Sequence, residues 1–124
     1  MASVDALNEE IRRNGGKDVL PAVFRANIVI SSSDTARPYV EDTWTRLRIG
    51  EASHEFEMLG ACRRCHMVCI NQETAEKSEE PFVTLSKTRR FEGKVFFGTH
   101  MCWSPAGDGR VPIVRVGDVV LPEW

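Results

Sequence analysis

The amino-acid sequence predicts a mainly β domain with two or three short helices. Three observations carry that expectation. Short runs of β-branched and aromatic residues recur along the chain, bounded by Gly, Pro or Ser/Asp clusters. Helical spacing of apolar residues is confined to residues 3–14 and to a stretch after Pro81. The 124 residues are 42% hydrophobic and 27% charged, an ordinary balance for one globular domain. Short strands with regular turn signals favour a barrel-like arrangement or a sandwich over a parallel α/β sheet.

Residues 3–14 read as a helix. Ser3 can cap it, Val4, Leu7 and Ile11 fall on one face, and Gly15-Gly16 ends it. Pro21 precedes a β-branched run from Val23 to Ser31 that reads as a strand, and Ser31 to Asp34 reads as a loop. From Thr43 to Ile49 the residues alternate, with Thr45, Leu47 and Ile49 on one face. Gly50-Glu51 turns the chain into a second alternating run, His54 to Leu59, and Val68 to Asn71 is a further short strand. Pro81 suits the first turn of a helix reaching about Arg90, with Phe82 and Leu85 towards the core. Lys94 to Met101 returns to strand, and Gly107-Asp108-Gly109 signals a hairpin. Val111 to Val116 and Asp118 to Leu121 flank Gly117 as closing strands, about seven in all. No repeat, charge run or linker divides the chain, so a single domain over 1–124 is expected.

The net charge is −2, from 16 basic and 18 acidic residues, which argues against a general nucleic-acid partner. No apolar run approaches the ~20 residues of a membrane span. The N-terminus shows no basic start followed by an apolar stretch, so a reduced, cytoplasmic setting is expected. Twelve of the basic residues are Arg and four are Lys. The planar guanidinium fork matches phosphates and flat heterocycle edges, which favours grip on a specific anion.

Three of the four cysteines lie within Cys62-Arg63-Arg64-Cys65-His66-Met67-Val68-Cys69. Cys62-x-x-Cys65-His66 matches the covalent-haem pattern, but only three positions are fixed. A structural zinc site would need its second half from Cys102 with His66 or His100. Cys69 and Cys102 read as small buried packing residues. The remaining reading is a reactive or metal-ligating thiol whose pKa is lowered by Arg63 and Arg64. Arg25 and Asn27, two apart in the expected strand, would project from one face, the spacing a shared pocket requires.

Several segments resemble the MOSC domain, specifically the C-terminal domain of eukaryotic molybdenum cofactor sulfurases. They are Phe24-Arg25-Ala26-Asn27-Ile28-Val29-Ile30, Tyr39-Val40-Glu41-Asp42-Thr43-Trp44, Leu59-Gly60-Ala61-Cys62-Arg63-Arg64-Cys65, Glu80-Pro81-Phe82-Val83-Thr84-Leu85, Arg89-Arg90, Val95-Phe96-Phe97-Gly98 and Val116-Gly117-Asp118-Val119-Val120. They run in order from about residue 20 onwards, leaving 1–19 as an N-terminal helical extension of a C-terminal portion. The family's usual Arg-Pro-Asn stands here as Arg25-Ala26-Asn27.

The resemblance implies a β-barrel-like MOSC fold that binds the molybdenum cofactor, a flat pterin with a dithiolene and a terminal phosphate. Cys65 matches the cysteine that ligates molybdenum in the amidoxime-reducing relatives. Cys65 would contact the metal or carry sulfur, and Cys62 would assist or resolve. Arg25 and Asn27 would orient the pterin, while Arg63, Arg64 and Arg89 would meet its negative charge. The resemblance further implies partnership with a cysteine desulfurase domain and with molybdenum hydroxylases. Nothing in this sequence resembles the family's pyridoxal-phosphate domain. Two alternatives remain open at this point: a stand-alone molybdenum reductase of N-hydroxylated compounds, and a non-enzymatic zinc-stapled domain.

Overall fold

The computed structural model describes residues 2–31, 37–105 and 111–124. The loop expected at Ser31–Asp34 lies mostly outside them, and the hairpin expected at Gly107-Asp108-Gly109 entirely so. The fold is mainly β with two α-helices, as the sequence predicts. The elements are α1 (Ala2–Arg13), β1 (Arg46–Ile49), β2 (His54–Arg63), α2 (Phe82–Thr88), β3 (Arg90–Phe91), β4 (Lys94–Trp103) and β5 (Val120–Glu123). Short 3-10 turns occupy Pro21–Phe24, Val40–Thr43 and His66–Cys69. The strands order as β3-β4-β2-β1-β5, with β1 antiparallel to β2 and β5, and β3 antiparallel to β4.

The chain divides into two compact units, Met1–Tyr39 with Cys62–Phe97, and Val40–Ala61 with Gly98–Trp124. In the first unit, α1 buries the face that its spacing marks: Leu7 and Ile11 are fully buried and Val4 packs alongside. They meet Phe24, Val68, Cys69, Leu85, Val95 and Phe97 in one core. Ser3 lies inside α1, not at a cap, and its Oγ accepts a hydrogen bond from the Tyr39 N–H at 2.9 Å. Gly15 (φ 79°) ends the helix: its N–H reaches the Arg12 carbonyl and the Gly16 N–H reaches the Ile11 carbonyl, satisfying orphan acceptors of the last turn. The Asn8 side chain then ties the departing chain down, exchanging two hydrogen bonds with the Val19 backbone (3.0 and 2.8 Å). On α2, Leu85 is fully buried and Phe82 packs against the core, as expected. Glu92 and Gly93, with φ of 48° and 76°, make the two-residue turn between β3 and β4.

In the second unit, the alternation of β1 buries Leu47 and Ile49, and that of β2 buries Phe56. Gly50 (φ 76°) opens the turn into β2, and a Cβ there would stand 3.1 Å from the Asp118 carboxylate. Arg48 Nε lies 3.0 Å from Glu123 Oε1, an ion pair across β1 and β5 whose geometry is out of line for a hydrogen bond.

Three expected strands do not form. Residues 23–31 make a 3-10 turn ending at Phe24 and then run irregularly. Pro21 presets that turn, and Arg25 adopts a left-handed backbone (φ 53°, ψ 37°) incompatible with a strand. Val68 and Cys69 close the 66–69 turn, with Ile70 retained only in a single bridge to Lys77. Residues 111–116 are irregular and Val111, Ile113, Val114 and Val116 stay exposed, so β-branched composition there finds no surface to pack on.

Truncating Leu7 to Ala should cost about 2–5 kcal/mol through lost burial and a residual cavity. The same change at Leu20, which is 72% exposed, should stay within about 0.5 kcal/mol. Urea denaturation followed by circular dichroism measures both.

Candidate functional site

The cysteine-rich segment leaves the end of β2 in extended form. Burial alternates: Cys62 and Arg64 are half-buried, while Arg63 and Cys65 are exposed. Cys65 keeps an extended backbone (φ −124°, ψ −177°) and serves as the N-cap of the 66–69 turn. An extended chain separates residues three apart by about 10 Å, well past the ~7 Å limit for bridging two cysteines. Cys62 and Cys65 therefore lie on opposite sides of the strand and do not pair.

Arg64 is the most heavily committed side chain of the segment. Its Nε donates to the Phe97 carbonyl and its Nη1 to the Phe24 carbonyl, both at 2.8 Å. Its backbone N–H donates to the Val95 carbonyl at 2.8 Å. The guanidinium carbon also sits 5.5 Å from the centre of the Phe24 ring. These bonds join the residue before Cys65 to the residue before Arg25. Two elements distant in sequence, each carrying an expected site residue, are thus clamped together.

The expected strand geometry of Arg25 and Asn27 is not met, for the reason given above. Both side chains are exposed on the irregular segment after the 3-10 turn. The left-handed backbone of a non-glycine residue such as Arg25 costs on the order of 1–3 kcal/mol, and such conformations cluster at functional sites.

Arg89 caps the C-terminal end of α2 and is only 9% exposed. Its guanidinium carbon stands 4.4 Å from the Tyr39 ring centre and 5.6 Å from that of Phe91. Tyr39 meets Phe97 edge-on at 6.2 Å, and Phe97 stacks on Phe24 at 4.2 Å. A continuous series of rings therefore runs from Arg89 to Arg64. Sequence reasoning missed Tyr39 and the Phe24–Phe97 stack as parts of the site. Their signal was available only as aromatic residues within the motifs, with no spacing to connect them.

The thiols differ sharply in setting. Cys65 and Cys102 are exposed, Cys62 is intermediate and Cys69 is buried. The packing role expected for Cys102 is therefore not met, because it lies on the outward face of β4, whereas Cys69 does pack in the core. Burial pushes the Cys69 thiol above its ordinary 9.0, opposed by the Phe82 backbone N–H and reinforced by the negative charges of Glu80 and Cys65. The Cys69 Sγ donates to the Glu79 carbonyl at 3.3 Å. Among the described residues, no three His, Cys, Asp or Glu side chains gather closely enough to hold a metal ion. His66, which the zinc alternative would use, lies against the Phe82 ring at 4.0 Å.

Fold and sequence together define a MOSC domain: the chain matches that family over residues 1–121 and belongs to it. The match takes in α1. Among curated proteins, the chain is 54% identical to the molybdenum cofactor sulfurase of Botryotinia fuckeliana, over 96% of this chain and 15% of the relative. It is 47% identical to that of Pyricularia oryzae (98% and 15%) and 43% identical to that of Aspergillus terreus (98% and 15%). The chain thus spans about 15% of the length of these relatives. No helix among the described residues is long and apolar enough to cross a membrane.

Two outcomes are expected. Arg64→Lys keeps the charge but cannot span both carbonyls, so it should cost about 1.5–3 kcal/mol, whereas Arg63→Lys should be silent in the same urea titration. Iodoacetamide should label Cys65 and Cys102 in the native protein and Cys69 only after unfolding or at strongly alkaline pH, as mass spectrometry of digests would show. The raised pKa of Cys69 also has a stability consequence. Its contribution is fully present below the unfolded thiol value and is lost as pH rises through the higher folded one.

Proposed function

We propose that the chain is the cofactor-holding MOSC domain of a molybdenum cofactor sulfurase, binding the pterin while its molybdenum centre receives sulfur. Arg64's double hydrogen bond carries the proposal, because it joins the Cys65 turn to the Arg25 turn. In this reading the Cys65 thiolate contacts molybdenum or transiently carries the sulfur. Cys62 assists from the inner side of the strand. Arg25 and Asn27 orient the pterin edge, Arg63 contributes positive charge beside Cys65, and Arg64 sets the geometry while adding its own charge. Arg89 meets the anionic end of the ligand. The cofactor is the substrate, and the molybdenum is its cargo.

The sulfur would come from a cysteine desulfurase domain, which in this family uses pyridoxal phosphate. The sulfurated cofactor would pass to molybdenum hydroxylases, all within the cytoplasm. Support comes from family membership and from an exposed thiol flanked by guanidinium groups. The proposed chemistry needs no other metal ligand from the chain, because the cofactor's dithiolene sulfurs already hold the molybdenum.

Titration with molybdenum cofactor, followed by pterin fluorescence, tests the proposal. Cys65→Ser replaces a soft donor by a hard one and should weaken binding about tenfold or more. Arg25→Ala and Asn27→Ala should each weaken it by roughly five- to tenfold, the loss of one good polar contact. Unchanged affinity in Cys65→Ser would remove the thiolate from the mechanism.

A further inference from the structure

We propose that Pro122 guards the open edge of β5, withholding the hydrogen-bond donor through which that edge would take up the same strand of a second copy of this chain. The proposal does not draw on the function proposed above.

β5 stands at one end of the strand order and, among the described residues, pairs only with β1. Their register sets Arg46 opposite Glu123, Leu47 opposite Pro122, Arg48 opposite Leu121 and Ile49 opposite Val120. The Val119 carbonyl accepts the Gly50 N–H at 3.0 Å, and the Glu123 carbonyl accepts the Thr45 N–H at 2.8 Å. In an antiparallel ladder, alternate residues turn their main-chain groups to the partner strand. Val119, Leu121 and Glu123 therefore face β1, whereas Val120 and Pro122 present theirs to the open side. A proline at position 122 thus costs the β1–β5 ladder no hydrogen bond. On the open side it removes one of the two N–H donors that β5 would offer, and its ring stands where an incoming carbonyl would bond.

Little else among the described residues protects this edge. An unpaired strand edge templates the addition of another chain unless charge, proline, a bulge or shortness prevents it. The other end of the order, β3, is two residues long and carries Arg90. β5 has four residues and one charged side chain, Glu123, which is drawn to Arg48 across β1. Beside it lie exposed apolar side chains, Val119 (67%), Leu121 (49%) and Trp124 (70%). Just upstream, Ile113, Val114 and Val116 are exposed β-formers outside any ladder. With apolar cover present and charge scarce, the missing donor is what separates β5 from a pairing edge. The same strand of a second copy is the fitting occupant, because two β5 edges meeting antiparallel about a twofold axis bring identical backbones together.

The experiment uses the full chain as wild type, Pro122→Val, Pro122→Thr and Pro112→Val, the last being the same kind of change outside any strand. Sedimentation velocity at rising protein concentration reads the association. Wild type and Pro112→Val should stay monomeric. Both Pro122 variants should dimerise, associating about tenfold or more tightly than wild type. Adding Leu121→Glu to Pro122→Val should reverse this, because like charges then meet across the new ladder. Amide hydrogen exchange supplies a reading that a folding defect does not mimic. In wild type the Val120 N–H should exchange freely and the Leu121 N–H, which faces β1, slowly. In the Pro122 variants the Val120 N–H should slow about tenfold at high concentration, with Leu121 unchanged.

Monomeric Pro122→Val and Pro122→Thr, or equal association by Pro112→Val, overturn the proposal. So does a Val120 N–H already protected in wild type, a result that requires no variant to fold.

Discussion

The site depends on one buried-facing guanidinium. Arg64 gives two hydrogen bonds to main-chain carbonyls, those of Phe24 and Phe97, and rests against the Phe24 ring. Partly burying a cation is unfavourable unless its donors are satisfied, and charged donors to carbonyls offset that cost more effectively than neutral ones. The outcome is a fixed junction where the end of β2, the start of the 66–69 turn and the Phe24–Arg25 turn meet. Cys65 inherits its position from that junction, since it follows Arg64 directly and its own thiol is exposed.

The same economy explains the excess of Arg over Lys. Arg64 and Arg89 both lie over aromatic rings, where a flat delocalised cation stacks and a compact ammonium does not. Exposed Arg63 and Arg90 stand beside them in sequence. The chain thus sets packed and exposed guanidinium groups in adjacent positions. A net charge of −2 is compatible with this arrangement, because the proposed ligand is one discrete anion and not a polyanionic surface.

The cysteine segment shows how local backbone form separates residues that look equivalent. Cys62, Cys65 and Cys69 fall within eight positions, yet strand alternation and a single 3-10 turn leave them half-buried, exposed and buried in order. The C-x-x-C spacing suggests a pair, and a helical turn would have made one. Extended backbone here instead leaves Cys65 exposed and apart from Cys62.

Read alone, the sequence determined the mainly β class, the first helix through Val4, Leu7 and Ile11, the two alternating strands around Gly50, the helix after Pro81 and the family. Each of these rests on short-range periodicity or on motif residues, which are written along the chain. It misjudged residues 23–31, where β-branched composition suggested a strand and packing of Phe24 on Phe97 selected a turn instead. Only the tertiary structure decided that Arg64 is a clamp, that Cys102 faces outwards and that Tyr39 belongs with Arg89. Those relations join residues 33, 40 and 50 positions apart, and long-range contacts are set by the folded core, which no local pattern encodes.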